Sequence, residues 1–440
     1  MPENIIKIKI SAQNFEEKKY VIDCILRNFL GLDYHLLVVE EAPAYEIIIR
    51  DKKIILADEF FSRFKQPQDY LSIENIPNHV VYARIKDFSK ADLPILYGND
   101  AFITTEDGIY CGIDLFATVF FMLSRWEEVV NQKRDLHDRF PAVESIAYKH
   151  NFLTRPIVNE YIELFWKMLK SCGYRGDRKR REFKLYLTHD IDHLFTPISS
   201  RQIVSDLIKR LSVSLAIRHF QYKYLKNPYN QYDFLMDCSE KMNVQSHFYF
   251  KASTQITRFD QDNYLETKEF FKIIQRIKSR GHLIGFHPGY DTYRLEDRWV
   301  TEKLRLEDAI QQDLKEGRQH YLRMDVSKTL QIWENHRMET DSTLGYADKF
   351  GYRCGTGDEF PLFDLIQRKE MNLKERPLIA MDGTLKISTD NSPEKALQIT
   401  ESLIRMGEEF QMGMTLLFHN SSFEEENWNG WKAMYRTLTH

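Results

Sequence analysis

Two aspartates and two histidines end an apolar run near the middle of the chain, in the stretch LYLTHDIDH at Leu185–His193. Asp190 and Asp192 are two residues apart, so in an extended segment their side chains point to the same face. Two carboxylates on one face repel each other unless a positive charge lies between them. A divalent cation meets that need and leaves one oxygen free as a base, whereas a helix-capping aspartate pair is the alternative.

Titratable side chains also follow three later segments that are predicted as strands. They are His287 with Asp291 after the strand ending at Phe286, His320, Arg323 and Asp325 in or after Gln319–Met324, and His419 with Asn420 after Gly413–Phe418. Because chemistry in parallel α/β folds collects where the carboxyl ends of strands meet loops, we expect these groups to converge. A lone histidine at a strand end is more often a hydrogen-bonded structural residue, but several such strand ends favour a functional site.

Asp291 lies four residues after His287, so the two side chains share a face if a helical turn forms there. Both are competent ligands for zinc, cobalt, nickel, iron or manganese. A helix N-terminal charge that favours the dipole is the alternative for Asp291. His320 could serve as a further ligand, although we interpret it as a buried structural histidine.

The second half of the chain alternates strand-like and helix-like segments. Predicted strands are Phe183–Thr188, Ser246–Ala252, His282–Phe286, Gln319–Met324, Gly351–Cys354, Leu378–Met381 and Gly413–Phe418, and predicted helices are Lys268–Ser279 and Thr301–Glu316. This alternation is typical of a parallel α/β sheet or barrel. Asp382-Gly383 is interpreted first as a turn and only second as a substrate contact.

The first half of the chain has a different rhythm, with short strands followed by long helices. Predicted strands are Ile5–Ile10, Tyr45–Ile49, Lys53–Leu56 and Ile109–Gly112, and predicted helices are Leu115–Val130 and Pro156–Cys172. Glycines and a charge run at Gly173–Arg181 mark the boundary. We therefore predict an α/β domain at residues 1–175 and a second domain at residues 182–440, with RKRR at Arg178–Arg181 as a solvated linker.

Composition narrows the class of protein. The 440 residues are 43% hydrophobic and 29% charged, with a net charge of −4, which is a globular balance that gives no support for nucleic-acid binding. No apolar run approaches the length of a membrane-spanning helix, and the first residues resemble a strand more than an export signal. The five cysteines have no paired spacing, which argues against a disulfide framework and suits a cytoplasmic protein.

At these residues the sequence resembles the polysaccharide deacetylase superfamily, also called the NodB-homology or carbohydrate esterase family 4 fold. The family opens with a strand ending in T-F-D-D, which THDID resembles with one residue between the aspartates. GHLIGFHPGYD follows the family motif G-H-x-I-G-x-H-[ST]-x-x-H up to His287 and departs from it at Pro288 and Asp291. HYLRMD and LLFHN resemble the third and last motifs, so the resemblance covers about residues 183–440. Segments such as DLFATVFFMLSRWEE are similar to a bacterial subgroup that carries an N-terminal domain of unknown function.

The resemblance implies a distorted (β/α) barrel of the NodB-homology type, preceded here by an additional N-terminal α/β domain. It also implies roles for particular residues. Asp190 is the general base, Arg323 orients it, His419 is the general acid, and Asp192, His287 and Asp291 bind the metal. Beside the resemblance, Tyr290 is a candidate for stacking on the sugar, with core or surface packing as the favoured alternative, and Asn420 is a candidate substrate contact. Zinc is the expected divalent ion, with cobalt, nickel, iron or manganese as alternatives.

The function that follows is hydrolytic removal of an acyl group, in the first place N-acetyl, from a carbohydrate of surface-polysaccharide metabolism. Two alternatives stay open. One is a hydrolase of the same fold that acts on other C–N amide bonds, and the other is a non-catalytic glycan-binding or scaffold protein with a degenerate site, which Asp291 favours. The sequence does not indicate the identity of the sugar or the oligomeric state.

Overall fold

The computed structural model describes residues 5–196, 198–260, 264–424 and 427–439. Its first sheet has six strands in the order β2-β1-β3-β4-β8-β7, and a two-stranded ladder pairs β5 with β6. The strands of this half are β1 Ile6–Ser11, β2 Tyr34–Val39, β3 Ala44–Ile49, β4 Lys52–Ala57, β5 Val81–Ala83, β6 Leu93–Ile95, β7 Gly98–Thr105 and β8 Gly108–Ile113. Strand β1 shows the cause of the arrangement, since its alternating isoleucines are fully buried and its lysines lie on the other face.

The helices of the first half bring buried apolar side chains into the core. They are α1 Phe15–Asp23, a π-helical turn Cys24–Leu30, α2 Leu115–Ser124, α3 Trp126–Val130, α4 Ile146–Lys149 and α5 Ile157–Ser171. The predicted single helix Leu115–Val130 is interrupted at Arg125, which has a φ of 54°. The buried Arg125 guanidinium pairs with Glu128 at 2.8 Å and Glu127 at 3.2 Å, and these ion pairs hold the break.

The second sheet has nine strands in the order β14-β15-β13-β12-β11-β10-β9-β17-β16 and curls as a half-barrel, consistent with a distorted barrel. Its strands are β9 Lys184–Ile191, β10 Ser246–Phe250, β11 Leu283–Phe286, β12 Glu316–Gly317, β13 Thr340–Asp341, β14 Phe360–Asp364, β15 Lys369–Glu375, β16 Leu378–Met381 and β17 Gly413–Leu417. All neighbouring pairs are parallel except the antiparallel pair β14–β15 at one edge. The predicted α/β class is therefore confirmed.

The helices of the second half are α6 Ser200–Ile208, α7 Val213–Tyr224, α8 Tyr232–Lys241, α9 Lys268–Ser279, α10 Glu296–Ile310, α11 Thr329–Asn335, α12 Asp382–Ser388, α13 Pro393–Phe410 and α14 Trp431–Leu438. Helix α9 matches the prediction because its four buried apolar residues recur at helical spacing behind the cap of Thr267. Helix α10 begins five residues before the predicted Thr301 and ends at Ile310, where Gln311 adopts a φ of 52°.

Two predicted strands are wrong. Gly351–Cys354 forms turns, and Gln319–Met324 forms a 3₁₀ turn at His320–Leu322, with φ values of 61° at Tyr321 and 54° at Leu322. Strand β12 stops at Gly317, before the predicted strand begins. This residue lies so close to β11 that a Cβ atom would be 2.1 Å from the Phe286 carbonyl oxygen. The β14–β15 hairpin lies outside the predicted strands.

The stretch between Cys172 and Phe183 has no regular structure and separates the residues of the two sheets. Ion pairs connect the two halves, including Glu17 with Arg368 at 2.7 Å and the buried pair of Glu128 with Arg353. The proposed division at residues 175 and 182 stays a prediction. No helix in the described part of the chain is long and apolar enough to cross a membrane.

The register of four parallel strands decides which residues meet. Ile191, Phe250, Phe286 and Gly317 lie opposite one another across β9, β10, β11 and β12. The next residue along each strand is therefore delivered to the same edge of the sheet. These residues are Asp192, Lys251, His287 and Arg318.

Candidate metal centre

Three side chains at this edge bring possible metal ligands together. The Oδ1 atom of Asp192 lies 3.1 Å from Nε2 of His287 and 3.3 Å from Nε2 of His320. One ligand atom from each residue fits within a span of 4.8 Å. Burial raises the pKa of Asp192, but the two histidines together with His419 hold it well below its usual range. The ionised Asp192 carboxylate therefore stabilises positive charge at this edge of the sheet.

The other ring nitrogens of both histidines are already engaged. Nδ1 of His287 donates to the Arg318 carbonyl oxygen at 2.6 Å, and Nδ1 of His320 donates to Asp260 at 2.9 Å. Lys251 lies 3.4 Å from the same Asp260 carboxylate, fully buried. Such outer contacts fix the ring orientation and leave Nε2 to accept a cation. The structure therefore supports His320 as a ligand and does not support our interpretation of it as a purely structural histidine.

Asp190 lies beside the cluster, with its Oδ2 3.9 Å from Nε2 of His287. Its partner is Arg318, whose Nη1 is 2.8 Å from Oδ1 of Asp190. The same guanidinium donates to Thr188 and to both the carbonyl and the hydroxyl of Ser342, so its position is fixed on every side. The prediction that Arg323 orients Asp190 is therefore wrong. The side chain that contacts Asp190 is that of Arg318, which directly follows β12.

Arg323 and Asp291 instead bind each other, with Nη1 3.0 Å from Oδ1. Arg323 lies over the ring of Tyr290 at 3.8 Å and over that of Tyr293 at 4.1 Å. Asp291 is thus paired outside the three-residue cluster, whose third member is His320. The physical reason is that Asp291 directly precedes the 3₁₀ turn Thr292–Arg294, where its side chain faces Arg323.

His419 approaches the cluster from the end of β17. Its Nδ1 donates to Oδ1 of Asp382 at 2.9 Å, its backbone N–H donates to Oδ2 of Asp382 at 2.6 Å, and its Nε2 lies 3.7 Å from Oδ2 of Asp192. Burial lowers the pKa of His419, but the charge and hydrogen bond of Asp382, with Asp192 and Asp190, raise it to about 10. His419 therefore carries a proton over the neutral range.

The pocket above these groups has a volume of about 200 Å³. One wall is apolar, formed by Leu322, Met381 and Leu417. Another wall includes Tyr321 and Arg139, and Arg139 comes from the first half of the chain. Nη1 of Arg139 donates to the Tyr321 carbonyl oxygen at 3.1 Å, so this loop from the first half is held against the site.

The two predicted sugar contacts have other partners. Tyr290 is buried, stacks on Phe259 at 4.1 Å, and its hydroxyl lies 3.0 Å from Nδ1 of His137. Asn420 is fully buried and donates to the carbonyl oxygens of His193 at 2.9 Å and Tyr229 at 3.0 Å. Both residues hold loops around the site, and a contact with sugar stays a prediction for each.

Four residues of the site were missed or misread in the sequence. Arg318 and Asp260 were not assigned there, Asp382 was interpreted first as a turn, and His320 was placed in a strand as a structural residue. Arg318 directly follows Gly317, which pairs with Phe286 in the folded sheet, a register that the predicted strand Gln319–Met324 does not give. Asp260 and Asp382 lie in loop or helix-start positions whose approach depends on the folded backbone.

Comparison with known proteins adds limited information. Residues 6–174 match the model of a family of unknown function (DUF7033). No curated protein matches the chain. Among solved structures, a Mycobacterium smegmatis protein assigned as a polysaccharide deacetylase is 16% identical, with a TM-score of 0.39 over 59% of this chain and 84% of that one. A CE4 family pseudoenzyme from Bacillus anthracis is 12% identical, with a TM-score of 0.30 over 58% of this chain and 60% of its own.

A mutant of that pseudoenzyme with restored enzymatic activity is 13% identical, with a TM-score of 0.30 over 58% of this chain and 62% of its own. These structural neighbours are polysaccharide deacetylase and CE4 proteins.

Proposed function

We propose that this protein is a metal-dependent hydrolase that removes an acyl group, in the first place N-acetyl, from a carbohydrate. The observation that carries the proposal is the convergence of Asp192, His287 and His320. Beside them lie the ion pair of Asp190 with Arg318 and the protonated imidazole of His419. Each group matches one requirement of amide hydrolysis. The carbohydrate substrate rests on the resemblance of the sequence motifs.

The residues present fit a divalent metal ion. One carboxylate oxygen and two imidazole nitrogens are a donor set for zinc, and also suit cobalt, nickel, iron or manganese. Three protein ligands leave coordination positions open, as catalytic sites require. An ion bound there supplies a Lewis acid that polarises the acyl carbonyl and activates water.

Asp190 is the proposed general base. Its Oδ1 is held by Arg318, which leaves Oδ2 directed toward the cluster side, 3.9 Å from Nε2 of His287. A water molecule between this oxygen and the ligands would lie within hydrogen-bond reach of the carboxylate. Asp190 would take its proton as the water attacks the acyl carbon.

His419 is the proposed general acid. Departure of an amine requires a proton at nitrogen, and the Asp382 pair keeps the His419 imidazole protonated and its Nε2 directed at the pocket. Asp190 approaches the cluster at His287, and His419 approaches it at Asp192. Asp382 is a positioning residue in this scheme.

The shape of the pocket favours a small acyl group. A volume of about 200 Å³ is small for a ligand site, and the apolar wall of Leu322, Met381 and Leu417 suits a methyl group. An acetyl group would place its methyl on this wall, with its carbonyl toward a cation held by the cluster. Longer acyl chains would meet the wall.

Acetate release tests the proposal. Purified protein loaded with zinc, cobalt or manganese would be incubated with N-acetylated oligosaccharides, and acetate would be quantified. We expect release by the parent chain and loss in Asp190→Asn with metal content retained. Release of amine from small non-sugar amides but none from sugars would instead support the alternative C–N hydrolase.

Metal content separates catalysis from a binding role. Elemental analysis of the parent and of Asp192→Ala would show whether the cluster retains an ion. Protein that binds no divalent ion and releases no acetate would contradict the proposal and favour a non-catalytic glycan-binding protein. A cytoplasmic location stays a prediction from composition.

A further inference from the structure

The segment between β9 and α8 forms a helical hairpin at residues 199–226, built from α6 and α7. Its two helices meet through polar groups. The carboxylate of the fully buried Asp206 lies 2.6 Å from Nδ1 of His219 and 3.1 Å from Arg210. In a helix pair that packs for stability in water, the buried face is apolar. In the helical hairpin, two of the three buried side chains, Asp206 and His219, are polar, and the third is that of Ala216.

The apolar side chains of the helical hairpin lie on its outside. Leu211 is 83% exposed, Leu225 73% and Ile208 70%, and Val213, Ile217 and Tyr224 are each more than half exposed. Positions 213, 217, 220 and 224 recur at helical spacing, so they form one stripe along α7. A continuous exposed apolar face of this kind marks an interaction site.

Charge distinguishes the kinds of partner. Residues 199–226 contain six lysines and arginines, namely Arg201, Lys209, Arg210, Arg218, Lys223 and Lys226. The single carboxylate of the segment, Asp206, is buried and already paired. The chain as a whole has a net charge of −4, so this cationic apolar surface is a local feature.

A second copy of the chain is a poor occupant, because pairing two such faces would bring the same cations together without compensating carboxylates. An anionic bilayer satisfies both features at once. Apolar side chains enter the boundary between headgroups and acyl chains, while lysine and arginine contact acidic headgroups. This combination is the signature of an amphipathic segment that lies in the membrane interface.

The helical hairpin is tied to the rim of the metal centre. It begins seven residues after Asp192, and its exit loop is fixed by Asn227, whose Nδ2 donates to the Leu194 carbonyl oxygen at 2.7 Å. Asn420, next to His419, donates to His193 and Tyr229 and joins the same loops. Docking through the helical hairpin would therefore hold the site near the bilayer.

We propose that the helical hairpin at residues 199–226 is a docking surface for membranes that carry acidic phospholipids. The surface itself is independent of the reaction. Its consequence, that the enzyme works on a saccharide held at the membrane surface, rests on the proposed function.

Vesicle co-sedimentation of the full chain tests the docking surface. With vesicles of about one third phosphatidylglycerol in phosphatidylcholine, we expect binding that weakens at least about tenfold in pure phosphatidylcholine and falls with added salt. Ile208→Ser/Leu211→Ser should weaken binding about tenfold, because it removes two inserted side chains. The matched control Ile366→Ser/Ile387→Ser changes two exposed isoleucines elsewhere, 57% and 71% exposed, and should keep parental binding.

Several results would overturn the proposal. Absence of parental binding to the acidic vesicles would do so, as would equal loss in both double variants. A stable dimer that dissociates in Ile208→Ser/Leu211→Ser, with no vesicle binding, would identify self-association as the role of the face. Thermal unfolding of both variants would confirm that they are folded. Acetate release from soluble sugars should be unchanged in both, which keeps failure of docking separate from failure of catalysis.

Discussion

Asp190 and Arg318 form a fully buried ion pair, with Nη1 2.8 Å from Oδ1 and side-chain exposures of 3% and 0%. Breaking a buried pair by removing one partner leaves an uncompensated charge and costs about 3–5 kcal/mol. We expect Arg318→Met to lower the free energy of unfolding by that amount, measured by urea denaturation. The double variant Arg318→Met/Asp190→Asn should recover part of the loss, because no buried charge is left alone. A double variant as unstable as the sum of its singles would contradict the pairing.

His320 and Asp291 can be compared directly as ligands. Since Nε2 of His320 lies 3.3 Å from Oδ1 of Asp192 while Asp291 is bound to Arg323, only the histidine should matter for metal affinity. We expect His320→Ala to weaken zinc binding by more than about 100-fold, more than an outer contact contributes, and Asp291→Asn by less than about threefold. Isothermal titration of metal-free protein measures both. Equal losses would restore Asp291 to the ligand set.

Asp260 acts on the metal site through His320 in our scheme. The Asp260 carboxylate accepts a hydrogen bond from Nδ1 of His320 at 2.9 Å. Replacing it with an amide removes the negative charge behind the imidazole. We expect Asp260→Asn to weaken zinc binding about 10–100-fold, which is typical for such outer carboxylates. Asp382→Asn is the matched control, since its carboxylate holds His419 and not a ligand, and it should leave zinc affinity within about threefold. A stronger effect of the control would contradict the assignment.

The pH dependence of hydrolysis tests the His419–Asp382 pair. A general acid works below its own pKa, and that of His419 is raised to about 10, so the parent should lose kcat/KM only at strongly alkaline pH. Asp382→Asn removes the largest cause that raises this pKa. The alkaline decline should therefore move toward the ordinary histidine value of about 6.5. If kcat/KM of the variant declined at the same alkaline pH as that of the parent, His419 would be excluded as the acid.

A second buried acid pair predicts the pH dependence of stability. Asp341 and Glu375 lie opposite each other on β13 and β15, both fully buried, and burial raises the pKa of each. A carboxyl with a raised pKa in the folded state keeps its proton while the unfolded chain releases it, so stability falls as pH rises above about 4. Glu375→Gln should therefore stabilise the protein more at pH 8 than at pH 4.5. Thermal unfolding at the two pH values measures this, and a gain that is equal at both would contradict it.

The sequence predicts the parts of the site that follow plainly apolar strands. Asp192 and His287 follow β9 and β11, whose apolar runs are plain, and parallel pairing alone aligns Ile191 with Phe250 and Phe286. His419 follows β17 for the same reason. Local pattern and global register agree at these positions, so the convergence could be expected.

The remaining parts depend on backbone conformations that residue types do not mark. His320 reaches Asp192 from a turn in which Tyr321 and Leu322 have positive φ, an arrangement that bulky side chains rarely adopt. The alternation of Gln319–Met324 favours a strand, and tertiary contacts override it. Asp382 follows the same logic, since the pair Asp-Gly predicts a turn whereas the residue begins α12 and binds His419.

The loop of His137 and Arg139 gives the pocket a mixed origin. The His137 carbonyl oxygen accepts from Nε of Arg323 at 2.8 Å, and Arg139 lines the cavity beside Tyr321. A polypeptide that starts at residue 182 would carry all three ligand residues and both proton-transfer groups, yet would lack one wall. Under the proposed function, substitutions in the first half would alter which substrate is admitted while the reacting groups stay constant, so selectivity and chemistry are able to evolve separately.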